Sequence, residues 1–102
     1  MKMIEKLEKQ INEEYADAEK YITCALLNVE ENKEPAAMYY WLSQEEVKHA
    51  EKLHTMVVDI ITAYKKEHGE PPEAMMILYR ILHERDIEYA TKVKTMIQQY
   101  KG

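Results

Sequence analysis

Apolar residues recur at helical spacing along almost the whole chain, in three long runs separated by two short breaks. The first break covers Glu31, Asn32, Lys33, Glu34 and Pro35, where a proline fits the first turn of a new helix. The second is His68-Gly69-Glu70-Pro71-Pro72, in which Gly69 stops one helix and the prolines restart another. The expected elements are helices near 2–32, 35–67 and 72–100. A strict four-three spacing then draws the seam of a bundle on each. Helix one gives Ile4, Leu7, Ile11, Glu14, Ala18, Tyr21, Ala25 and Asn28. Helix two gives Tyr39, Leu42, Glu46, His49, Leu53, Met56, Ile60 and Ala63. Helix three gives Met75, Tyr79, Leu82, Asp86, Tyr89, Val93, Met96 and Tyr100. All three seams are mostly apolar, and all three are interrupted near the middle by ionisable residues.

The breaks fix the topology. An extended chain covers at most ~3.6 Å per residue, whereas a thirty-residue helix is about 45 Å long at ~1.5 Å per residue. A break of a few residues cannot carry the chain back along a helix of that length. Consecutive helices therefore run antiparallel, and the expected fold is an all-α, up-down-up bundle of three helices in a single domain, 1–102.

Composition narrows the function. The net charge is −5, with basic residues spread among acidic ones, which argues against a nucleic-acid surface and suits a protein that attracts cations. The one cysteine, Cys24, excludes an internal disulfide and any cysteine-rich zinc or rubredoxin-type site. No signal peptide or long apolar run is evident, so the expected location is the cytoplasm, with no membrane or nucleic-acid partner. Phe is absent while Tyr occurs eight times and Met seven, so the core will contain hydroxyls that need partners.

The ionisable seam residues carry the chemistry. Glu, Asp and His are costly to bury unless paired, neutralised or bound to a metal. Glu46 and His49 stand three positions apart, so Glu46-Val47-Lys48-His49 presents a Glu-x-x-His motif on one helix face. Two-metal helix bundles combine such motifs with a lone Glu from a neighbouring helix. Carboxylates bridge and neutralise two hard cations, and an imidazole fills a terminal position. Glu14 lies on the seam of helix one and is the expected lone Glu. With the helix boundaries above it stands one to two turns out of level with Glu46, and Glu19 fits the level better but lies off the seam. The alternative for all three residues is a buried polar network that fixes register without binding anything.

These residues resemble the rubrerythrin and bacterioferritin branch of the ferritin-like di-iron carboxylate proteins. Glu14 followed by Tyr21 is similar to that family's first-helix ligand and nearby tyrosine. The run from Tyr40 through Trp41, Glu46, His49 and Ala50 to Leu53 looks like its second helix. The spacing of 32 from Glu14 to Glu46 is also close to the family's. The resemblance spans roughly residues 4–60 and implies a two-metal site of iron, or of manganese, with Glu14, Glu46 and His49 as ligands and Tyr21 hydrogen-bonding a ligand carboxylate. It further implies oxidation of ferrous iron or reduction of oxygen or peroxide, with the electron donor a separate molecule or the iron itself.

The family's four helices bring a second Glu and a second Glu-x-x-His, which this chain lacks. Two completions follow. Two chains pair as a homodimer or higher oligomer, as the half-bundles of encapsulated ferritins do, each giving Glu14, Glu46 and His49. Alternatively, helix three supplies His83 and Asp86 within one chain. The competing functions are a non-catalytic structural or adaptor bundle with a polar core, and a component of an iron-storage assembly.

Overall fold

In the computed structural model, which describes residues 2–102, the chain forms α1 (Lys2–Asn28), α2 (Lys33–His68) and α3 (Glu73–Gln99). No strand occurs among the described residues. α1 stops four residues short of the expected end because Asn28 and Asn32 turn the chain. The Asn28 amide donates to the Cys24 carbonyl at 2.8 Å, and the Asn28 carbonyl accepts the Asn32 N–H at 2.9 Å. α2 then starts at Lys33, and Pro35 lies in its first turn, where a missing N–H leaves no hydrogen bond unmade. At the other end Gly69 donates its N–H to the Lys65 carbonyl and adopts φ 77°, a conformation that suits glycine. Lys65, Lys66 and His68 in the last turn complement the negative end of the helix dipole.

The helices pack up-down-up. Numbers rise along α1 as they fall along the facing α2: Tyr21 stacks on Tyr39, Glu14 meets Glu46 and His49, and Ile4 shares a crevice with Ile61. α3 returns parallel to α1, with Tyr89 beside Tyr15 at a ring-centre distance of 5.9 Å and Lys92 bonded to Glu19 at 2.6 Å. The result is a rod of 56 × 18 × 18 Å.

Burial is concentrated between α1 and α2. Ala18, Ala25, Ala36, Ser43 and Ala50 are fully buried, and these small side chains let the two backbones approach closely. Ser43 satisfies its hydroxyl by donating to the Tyr40 carbonyl at 2.6 Å. Around them pack Leu7, Ile11, Ile22, Val47 and Val57. On α1 the expected seam coincides with this core at Ile4, Leu7, Ile11, Ala18 and Ala25. On α2 it does not. The buried stripe there is Ala36, Ser43, Val47, Ala50 and Val57, and none of the expected seam residues belongs to it. Tyr39, Leu42, Glu46, Leu53 and Ile60 are half-buried to one side, and His49, Met56 and Ala63 are exposed. Close approach favours the small-residue stripe, which leaves the larger apolar side chains on an open flank.

α3 is held more lightly. Its expected seam does face inward, since all eight positions are buried or half-buried, but only Val93 is fully buried. Its links to α2 are few: the Tyr40–Tyr100 stack at 4.3 Å, the His54–His83 stack at 4.9 Å and a Glu51–Lys94 ion pair at 3.6 Å.

Candidate metal centre

The corrected helix ends bring Glu14 level with Glu46. Glu14 lies fourteen residues before Asn28, the end of α1, and Glu46 lies thirteen after Lys33, the start of α2. The apparent mismatch of one to two turns came from the overlong first helix. Glu14, Glu46 and His49 each offer a ligand atom within 4.8 Å of the others, and no other set of three or more His, Cys, Asp or Glu side chains does so among the described residues. His49 Nδ1 lies 3.5 Å from Glu14 Oε2 and 3.7 Å from Glu46 Oε1. Those separations are too long for strong hydrogen bonds, and Glu14 Oε2 is buried with no hydrogen-bond partner.

Two carboxylates forced together in a partly dry site repel each other. Glu46 is pushed up to about 7, chiefly because the Glu14 carboxylate stands ready to accept a hydrogen bond from its protonated form, then by burial and by the Glu14 charge, with His49 opposing. A cation relieves the same repulsion by taking the place of the shared proton, and Glu/Glu/His is a donor set that iron or manganese accepts. The site is open on one side: the His49 side chain is 52% exposed, against 27% for Glu14 and 18% for Glu46.

No family model, curated protein or solved structure matches this chain. The chemistry of the site therefore rests on its own geometry.

The other expected site residues lie elsewhere. Tyr21 stacks on Tyr39 with ring centres 6.2 Å apart, and its hydroxyl makes no hydrogen bond to Glu14 or Glu46. Glu19, the rival for the lone Glu, is turned to α3, where it accepts from Tyr89 Oη at 2.9 Å and from Lys92. His83 and Asp86 do not join Glu14, Glu46 and His49. They line a separate cleft with His54, between α3 and the α1–α2 pair. His54, which has no partner at ligand spacing in the sequence, is half-buried and stacked on His83.

Beside that cleft lies an acid absent from the sequence reading, Glu8. It is 5% exposed, and neither of its oxygens meets a donor. Its neighbour is Asp86, another acceptor, so the contact becomes a hydrogen bond only when one of the two carries a proton. Burial, and then the Asp86 contact, push Glu8 up to about 8. A signal for Glu8 was present in the chain: Glu8, Tyr15 and Ile22 repeat at seven-residue spacing beside the expected seam, and all three are buried.

Proposed function

We propose that the chain is a ferritin-like metal protein in which Glu14, Glu46 and His49 hold iron, or manganese, in a two-metal centre shared by two copies. The observation that carries this reading is the convergence of two carboxylates and an imidazole on one level of the α1–α2 hairpin. Bound iron would supply the redox chemistry, oxidation of ferrous iron by oxygen or peroxide. The chain's own contribution is binding and charge: Glu46 gives up its proton to the cation, Glu14 adds a second carboxylate, and His49 adds an imidazole nitrogen from the more exposed side.

The ligand count and the open flank support a second copy. One chain offers two carboxylates and one imidazole, which is half of what a di-iron bundle uses. α3 reaches α2 through Tyr40, Glu51 and His54. At about 100° per residue Tyr40 and Glu51 lie on the other side of the buried stripe from Leu42, Glu46, His49, Leu53 and Met56, and His54 lies in line with the stripe itself. That flank, with Leu42 and Leu53 half-buried and Met56 exposed, is left without a covering helix, and a two-fold axis over it would double the ligands and complete a four-helix core.

Metal content after anaerobic loading with ferrous iron tests the reading on wild type and on Glu46→Ala. The expected result is about one iron per chain from this centre, lost in the variant, as a two-metal site shared by two chains requires. Iron that is absent from both proteins, or unchanged by the substitution, leaves a helical bundle with a polar core and no iron chemistry.

A further inference from the structure

We propose that Glu8, Asp86 and His83 form a second divalent-cation site between α1 and α3, separate from the Glu14–Glu46–His49 centre. Five buried side-chain atoms lack a hydrogen-bond partner among the described residues. One is Glu14 Oε2, in the first centre. The other four are Glu8 Oε1 and Oε2, Asp86 Oδ2 and His83 Nδ1. Carboxylate oxygens buried at a helix contact without a donor are destabilising, and an ordinary bundle would pair them with Lys or Arg. Here Lys9 and Arg85 flank the same cleft as Glu8 and Asp86, yet neither makes an ion pair with them. Lys92 and Lys94 are engaged by Glu19 and Glu51. A proton shared by Glu8 and Asp86 joins one oxygen of each but leaves the His83 nitrogen without a partner, whereas a cation bound between them satisfies both carboxylates and the imidazole.

The arrangement repeats the logic of the first centre. A lone Glu on α1 stands beside Asp86 on α3, and the His83 imidazole lies three positions from Asp86 along that helix. Glu8 precedes Glu14 by six residues, which places it about 9 Å away along α1. Paired metals sharing bridging ligands lie about 3.5–4 Å apart, so the two sites are distinct. The cleft lined by Glu51, His54, His83 and Asp86 gives a hydrated ion a way in. The His83 ring is fixed between His54 at 4.9 Å and Tyr79 at 5.7 Å. The donors are spread wider than the 4.8 Å span of the first centre, so closure around an ion falls to Glu8, the longest of the three side chains. Two oxygens and one nitrogen select Mn(II), Fe(II), Co(II) or Zn(II) over soft Cu(I).

Cobalt(II) titration of the double variant Glu46→Ala/His49→Ala, in which the first centre is removed, isolates the second. The expected result is about one retained Co(II) per chain, with affinity falling at least ~10-fold when Asp86→Asn is added. A helical double variant that binds no Co(II), or binds it equally well with Asp86→Asn, overturns the proposal. Wild type provides a check free of folding effects. Its His83 ring proton resonances should shift paramagnetically at a cobalt equivalent distinct from the one that shifts His49. His83 resonances unmoved at saturation also overturn the site, whatever happens at His49.

Discussion

Glu19 links α1 to α3 by accepting from both Lys92 at 2.6 Å and Tyr89 at 2.9 Å. Tyr89 remains a donor at any ordinary pH, because burial and then the Glu19 carboxylate push it up to about 12. The Lys92 contact first, and the Tyr89 hydroxyl second, hold Glu19 below the usual carboxylate range. A carboxylate with a depressed folded pKa stabilises the fold above its unfolded pKa, and that contribution fades as pH falls through the folded value. Glu19→Gln should therefore be less stable than wild type at neutral pH, by about 1 kcal/mol given the exposed lysine. In acid the two should converge. Urea unfolding of both proteins at neutral and acid pH measures this, and a gap that persists in strong acid would contradict it. At this scale the grouping of Glu46 with His49 was readable from their three-residue offset on one helix, whereas Glu14 was a candidate by its seam position and stood out of level until the end of α1 was fixed. Glu8 was marked only by sharing a seven-residue register with Tyr15 and Ile22, and that register alone does not say whether a Glu faces water or another helix.

Helix number, order and direction were legible because Pro35, Gly69, Pro71 and Pro72 punctuate the chain and the breaks are too short for anything but antiparallel neighbours. Which stripe of α2 faces α1 was not. Periodicity favours the large apolar residues Leu42, Leu53, Met56 and Ile60, whereas packing buries the small stripe of Ala36, Ser43 and Ala50. The difference has a measurable consequence. Ala50→Leu puts bulk where α1 and α2 approach closely and should cost about 1–3 kcal/mol. Leu42→Ala on the open flank should cost the metal-free chain less than that, because Leu42 is only half-buried. Denaturant midpoints of the two variants decide it, and the reverse order would mean that the core lies on the larger stripe.

The whole molecule is a thin rod, and α3 contributes one fully buried side chain to it. A helix this weakly anchored leaves much of the α1–α2 hairpin uncovered. No helix among the described residues is long and apolar enough to cross a membrane. If two copies meet across the ligand-bearing flank, metal and assembly are thermodynamically linked, since a ligand bound only by the pair stabilises the pair. Met56 is 48% exposed on that flank, so Met56→Glu should spare the single chain while placing like charges across the two-fold axis. Sedimentation should show a metal-dependent dimer for wild type. For Met56→Glu it should show a monomer, with iron affinity reduced at least ~10-fold. A dimer that forms equally well without metal, or that survives Met56→Glu, places the interface elsewhere.

The sequence by itself determined three helices, their antiparallel order and the grouping of Glu46 with His49, because these follow from local periodicity, chain length and the geometry of one helix. Tertiary structure decided what depends on two helices at once. It set the level of Glu14 against Glu46, through the exact end of α1 at Asn28. It chose the small-residue stripe of α2 as the buried one, through close backbone approach. It also carried His83 and Asp86 away from the first centre to stand beside Glu8, because α3 packs on the opposite flank of the hairpin from the one that bears Glu46 and His49.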